Sequence, residues 1–223
     1  MISTIKYPAR EQWPMLMRRA VADTSELRAL VADITATVEA RGDAALMEYA
    51  LKFDKASLSS LKVCQEEIEA ASAAISAELK DAIALASRNI EAFHSAQRMN
   101  AVEVETMPGV TCWQRAVAID RVGIYIPGGN SPLFSTVLML AIPARIAGCK
   151  RIVRCTPPSP DGSVNPAILY AAQAAGVTEI YKIGGAQAVA AMAVGTESVP
   201  QVSKIFGPGN RFVMEAKMQV MQK

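Results

Sequence analysis

The sequence predicts an α/β protein in which a parallel sheet, covered by helices on both faces, follows a mainly helical N-terminal segment. Three observations carry that prediction. From Val122 onward the short β-rich runs "VGIYI", "RIVRC", "TEIYKI" and "SKIF" alternate with helical stretches at 132–147, 166–175, 186–194 and from about 210. Repeated strand–helix alternation builds parallel βαβ units. Gly148, Gly176 and Gly195 stand where the first three of those helices should stop. Between Asp23 and Gln97, by contrast, apolar residues recur at the three- and four-residue spacing of buried helix stripes.

Residues 1–22 read as an N-terminal arm. Leu27, Leu30, Val31, Ile34 and Val38 then mark one stripe of a first helix, with Asp23 and Glu26 as its N-cap pair and Gly42 at its end. Asp43 is placed to cap a short second helix that turns Leu46, Tyr49 and Phe53 inward. A further helical stretch, broken near Ser76, points Ile68, Ile75, Leu79, Ile83, Ile90 and Phe93 inward, with the lone histidine, His94, beside that face as a structural residue. "VEVET", Pro108-Gly109 and "TCWQRAVA" read as two extended segments around a turn. The expected division is therefore 1–22, a helical segment plus β-hairpin over 23–120, and the sheet unit over 121–223. In the last, Ser131-Pro132 and Asn165-Pro166 each supply an N-cap and a proline at the first helical position. Pro143 should kink or shorten its helix.

Composition narrows the function classes. The chain has 223 residues, a net charge of +2, a fifth charged residues and few aromatics, with no long basic run; electrostatic nucleic-acid binding has no support. The stretch 132–148 is too short and too interrupted to cross a bilayer, and residues 1–20 lack the apolar core of a signal peptide. Cys64, Cys112, Cys149 and Cys155 show no C-x-x-C spacing and read as buried free thiols of a soluble cytoplasmic protein.

Ligands of an open parallel sheet bind beyond the carboxyl ends of its strands. Three glycine-containing loops fall there: Pro127-Gly128-Gly129, "IGGAQA" at 183–188 and "FGPGN" at 206–210. Each leads into a helix whose free N–H groups suit a phosphate or carboxylate. None is a G-x-G-x-x-G or Walker loop. Together they bring Tyr125, Gln187 and Asn210 to one sheet edge, where a hydroxyl or ring and two amides could bind a ligand. A single histidine permits no Ser/His/Asp set, no zinc-ligand spacing occurs, and Cys149 or Cys155 as a nucleophile has no activating neighbour in sequence.

"RVGIYIPGGNSPLFSTVLMLAIPARIAGC", "IGGAQAVAAMAVGTESVPQVSKIFGPGN" and "FVMEAKMQV", together with "ARGDAALMEYALKFD" and "NIEAFHSAQ", closely resemble the bacterial histidinol dehydrogenase family over nearly the whole chain. The resemblance implies a Rossmann-like second domain, nearly complete, and a helical segment belonging to an incomplete first α/β domain. It implies a cytoplasmic, zinc-dependent homodimer of the histidine-biosynthesis pathway, an oxidoreductase that converts L-histidinol to L-histidine through the aldehyde with two NAD. The family's NAD-contacting tyrosine, glutamine and asparagine fall on Tyr125, Gln187 and Asn210. Its zinc ligands, acid/base pair and substrate contacts lie in a later part, so no catalytic or metal residue is expected within this chain, which should be inactive alone. The alternative is a non-catalytic nucleotide-binding or dimerisation module derived from the family. A further expectation is that residues 23–97 expose apolar helix faces.

Overall fold

The computed structural model describes residues 4–18, 24–128, 132–177 and 179–221. A 3₁₀ turn and a single helical turn, α1 (Trp13–Leu16), precede the long helix α2 (Ser25–Tyr49), which runs into a π-helical turn at Ala50–Asp54. Then come α3 (Gln65–Ala74), α4 (Ala77–Ser95), β1 (Val102–Met107), β2 (Val110–Gln114), β3 (Arg121–Tyr125), α5 (Phe134–Ile146), β4 (Arg151–Thr156), α6 (Pro166–Ala174), β5 (Glu179–Lys182), α7 (Gly185–Val194), β6 (Lys204–Phe206) and α8 (Arg211–Val220).

The sheet order is β5-β4-β3-β6, with every neighbouring pair parallel. The chain steps outward from β3 to β4 to β5, then crosses back to lay β6 on the other side of β3. That reversal opens a crevice at the carboxyl ends of β3 and β6, where ligands of such sheets bind.

Side chains alternate between the two faces, as the strand period demands. Ile124, Ile126 and Ile180 enter a core closed by α3, α4, α5 and α6, while Tyr125, Val153, Cys155 and Tyr181 enter a second core closed by α2, α7 and α8. Both cores are shared by the N-terminal helices and the sheet. The free edge of β5 is covered by the segment around Lys62, with Val63 N–H donating to the Ile180 carbonyl (2.9 Å) and Lys182 N–H to the Leu61 carbonyl (2.7 Å). The antiparallel β1–β2 hairpin stands apart, exposed on both faces.

Several local expectations hold for visible reasons. Ser76 caps α4 by accepting from Leu79 N–H, and Asn165 caps α6 by accepting from Ala167 N–H. After α5 the Gly148 N–H reaches the Arg145 carbonyl and the Cys149 N–H the Ala144 carbonyl; Gly176 and Val177 repeat this pattern after α6. Pro143, expected to kink or shorten its helix, sits inside α5, which runs on to Ile146, one residue short of the expected end.

Gly42 ends the first helical stretch as expected: it leaves the helical region (φ 50°, ψ −131°), and a second stretch runs from there to Tyr49. Others differ. Asp43 does not cap the resumed helix; its carboxylate accepts from the Thr196 hydroxyl (2.6 Å) and the Ser198 hydroxyl, while its own N–H donates to the Glu197 carboxylate (2.8 Å). Leu30, Phe53 and Phe93, expected inside, are 45 %, 46 % and 64 % exposed, whereas Val31, Ile34, Val38 and Leu46 are buried against α7 and α8. The expected apolar exposure of the N-terminal helices is thus confined to part of their surface. Asp23 and Ser131, expected as caps, lie outside the described residues.

Candidate cofactor cleft

A cleft of about 530 Å³ opens at the carboxyl edge of the sheet, over the β3/β6 switch point. Tyr125, Pro127 and Gly128 from the end of β3, Gly185 and Gln187 from the start of α7, and Asn210 from the start of α8 line it. The structure therefore brings the three sequence-predicted residues together. Gly129 and Asn130 of the first loop lie outside the described residues.

Each of the three has a different environment. Tyr125 is 3 % exposed, with its ring in the α2/α7/α8 core, so it has no free face for stacking. Its hydroxyl accepts from the Gly185 N–H (3.0 Å) and ties the loop after β3 to the start of α7. Burial pushes this phenol up to about 12, so it stays protonated and keeps an O–H to donate. Gln187 lies within α7, a helix buried on nearly every side, and is itself buried. Asn210 is the N-cap of α8: its Oδ1 accepts from Phe212 N–H (3.0 Å) and Val213 N–H (3.2 Å). The N-terminus of α8 is thereby satisfied within the chain, contrary to the expectation of a vacant anion site there. What Asn210 offers a ligand is its amide N–H₂.

The loops are held against one another by backbone contact. Gly207 (φ 126°) lies flat on the backbone of Tyr125: a Cβ there would sit only 3.0 and 3.1 Å from the Tyr125 carbonyl carbon and nitrogen and closer still to its oxygen. The half-buried Lys217 ammonium, on α8, donates to the Gly207 carbonyl and fixes the same loop from below. Burial lowers the affinity of this amine for its proton.

Residues that sequence reasoning missed complete the walls. Leu30, Ile34 and Phe53 from the N-terminal helices, Phe212 from α8, and Pro157 with Pro158 after β4 supply apolar surface; Asp54 supplies a carboxylate. The prolines follow a strand at the same sheet edge, so the rule that found the other loops would have found them. Leu30, Phe53 and Asp54 reach the cleft only because α2 docks on α7 and α8, a tertiary contact with no local sequence signature.

The remaining candidates do not assemble into chemistry. Cys155 is fully buried and its thiol is pushed up to about 12 by burial, which removes it as a thiolate nucleophile; Cys149 is also raised by burial. His94 hydrogen-bonds Gln97 through Nδ1 (2.7 Å) and borders a separate cavity of about 740 Å³ walled by the segments after α4 and after the hairpin, by α5 and by β3. Among the described residues no group of three or more His, Cys, Asp or Glu side chains could hold a metal ion, so a zinc ion finds no ligand set there. Among the same residues no helix is long and apolar enough to cross a membrane.

The fold has close counterparts. A protein-family profile described as histidinol dehydrogenase matches residues 17–223. Histidinol dehydrogenase of Bacteroides thetaiotaomicron is 60 % identical over 220 residues, covering 99 % of this chain and 51 % of that protein. That of Escherichia coli strain K12 is 56 % identical over 215 residues, covering 96 % and 49 %. The crystal structure of histidinol dehydrogenase from Elizabethkingia anophelis superposes with a TM-score of 0.92 at 48 % identity, over 96 % of this chain and 50 % of that one. The chain thus spans about half the length of the curated relatives it matches. With a matching profile over nearly its whole length and a matching fold, the chain belongs to the histidinol dehydrogenase family.

Proposed function

We propose that this chain forms the NAD-binding part of a histidinol dehydrogenase, with the dinucleotide held in the cleft by Tyr125, Gln187 and Asn210. The observation that carries the reading is the convergence of these three side chains, from three separate strand–helix junctions, on one crevice at the sheet's switch point. The cleft offers what a dinucleotide needs: apolar walls for a planar ring from Leu30, Phe53 and Phe212, and polar groups for its edges. Gln187 donates and accepts through its amide, Asn210 donates through its N–H₂ while its oxygen caps α8, and the Tyr125 O–H donates while its oxygen anchors Gly185. When bound, NAD supplies a hydride acceptor for the oxidation of L-histidinol through the aldehyde to L-histidine, two equivalents serving the two steps.

The catalytic acid/base pair and zinc ligands belong to the half of the relatives' length that this chain does not span. The 223-residue chain therefore binds cofactor without turning over histidinol. Residues 121–223 act as the Rossmann-like second domain and 23–120 as the helical part of the first. A cytoplasmic homodimer fits the exposed apolar side chains of the hairpin and its exit, Trp113 (69 % exposed) and Val117 (81 %) among them.

The test is calorimetric titration of NAD into the wild-type chain and into a Gln187→Ala/Asn210→Asp variant. Aspartate keeps the N-cap acceptor of α8, removes the amide donor and sets a negative charge against the dinucleotide. Saturable heat in the wild type, weakened about tenfold or more in the variant, supports the reading. Equal affinity in both, or no binding by the wild type, overturns it.

A further inference from the structure

Asp54 is the one charged side chain among the described residues that line the cleft, and its Oδ2 has no partner. It closes the π-helical turn at the end of α2, and the left-handed Lys55 (φ 61°) then turns the chain away. The carboxylate is thereby delivered to the loops after β4 and β5. At Gly184 a Cβ would lie 3.3 Å from Asp54 Oδ1 and 2.7 Å from the Pro157 Cβ, so the absence of a side chain there is what makes room for it. Its Oδ2 is shielded from solvent and accepts no hydrogen bond. The two lysines nearest in sequence are engaged elsewhere: Lys55 donates to the Lys52 carbonyl (2.9 Å) and Lys52 lies over the Phe53 ring. Burial alone pushes the Asp54 carboxyl up to about 6, a sign that nothing compensates its charge.

An uncompensated carboxylate in a cleft wall accepts hydrogen bonds and donates none once ionised. A phosphate has no proton to offer it and repels it. A ribose has hydroxyl donors, and one of them can bond the carboxylate oxygen that is not shielded from solvent. The position agrees with this chemistry. In parallel-sheet dinucleotide sites the ribose-binding acid lies beside the switch point at the carboxyl edge; Asp54 reaches that edge from an N-terminal helix rather than from a sheet strand.

We propose that Asp54 is a further cofactor-binding residue of the cleft, accepting hydrogen bonds from a ribose hydroxyl of the dinucleotide and turning the pyrophosphate away from the β4/β5 side. The proposal rests on the reading of the cleft as an NAD site. It is tested by titrating NAD, NADP and the hypoxanthine analogue of NAD into the 223-residue wild type, Asp54→Asn and Asp54→Ala, with thermal unfolding of each. The expected result is at least tenfold weaker NAD binding in Asp54→Asn, which unfolds at or above the wild-type temperature, because the substitution removes a charge that no protein group stabilises. If Asp54 holds the adenosine ribose, wild type prefers NAD to NADP and Asp54→Ala narrows that gap. If it holds the nicotinamide ribose, both dinucleotides weaken together. Undiminished NAD binding in Asp54→Asn overturns the proposal while leaving the cleft reading intact. Failure of that variant to fold overturns it too, by making the carboxylate structural. A deficit that the hypoxanthine analogue shows in wild type and that Asp54→Asn does not deepen reassigns the carboxylate to the adenine amino group and overturns the ribose assignment. Absence of NAD binding by the wild type removes the cleft reading and this proposal with it.

Discussion

Replacing Gly207 with alanine is the sharpest perturbation of the cleft wall. The residue holds φ at 126°, a conformation that L side chains rarely adopt. The added Cβ would meet the backbone of Tyr125, not a side chain that could rotate away. Backbone strain of this kind costs about 1–3 kcal/mol. Relief requires the ends of β3 and β6 to part, and their pairing covers only three residue pairs, Val122 with Lys204, Gly123 with Ile205 and Ile124 with Phe206. Losing one or two hydrogen bonds of that ladder adds about 1 kcal/mol each. Gly207→Ala should therefore destabilise the chain by about 2–5 kcal/mol, moving its urea midpoint down by about 1 M or more. It should also weaken NAD binding, because Asn210 rides on the displaced loop. The assay is urea unfolding monitored by circular dichroism, with NAD titration on the folded variant. A midpoint within experimental error of wild type would refute the close packing of these two loops.

Three further outcomes rest on single features. Arg154 is fully buried with one hydrogen bond, to the Ile168 carbonyl (3.2 Å), while its Nε and Nη2 have no partner and burial lowers its guanidinium to about 9; Arg154→Met should stabilise the chain by about 1–4 kcal/mol, and a lower melting temperature would contradict the orphan-cation account. Asp43→Ala removes the acceptor of Thr196 and Ser198 beside the Gly42 break and should cost about 1–3 kcal/mol in urea unfolding, with no change refuting its role as the tie between α2 and the loop after α7. The Asp54 carboxyl is raised from 3.8 in the unfolded chain to about 6 in the folded one, so the native state binds more protons between those values; stability should fall as pH rises from about 4 to 6 with an excess slope that vanishes in Asp54→Asn, and identical pH slopes in both proteins would count against it.

The sheet was legible because its signals are local. A strand two residues in period, a proline at a first helical position and a glycine in a left-handed cap each occupy a few contiguous residues, and "RIVRC" or Asn165-Pro166 announce themselves without reference to anything distant. The burial of Val31, Ile34 and Val38 was equally plain from spacing. What spacing could not settle is how wide the covered stripe is. Leu30 and Phe53 belong to the same apolar faces, yet α7 and α8 cover only part of them, and the uncovered part becomes cleft wall. Asp43 was misread for a related reason: as an acidic residue after a glycine it looks like an N-cap, but its partners, Thr196 and Ser198, lie more than 150 residues away. Asp54 carries no local mark at all. Only the docking of α2 against the sheet unit brings it beside Gly184 and Pro157.

If Tyr125, Gln187 and Asn210 form one NAD site, calorimetric titration of NAD into the 223-residue chain should show saturable one-to-one binding, with at least tenfold weaker binding by its Gln187→Ala/Asn210→Asp variant at unchanged melting temperature. Identical isotherms, or none for the wild type, would contradict it.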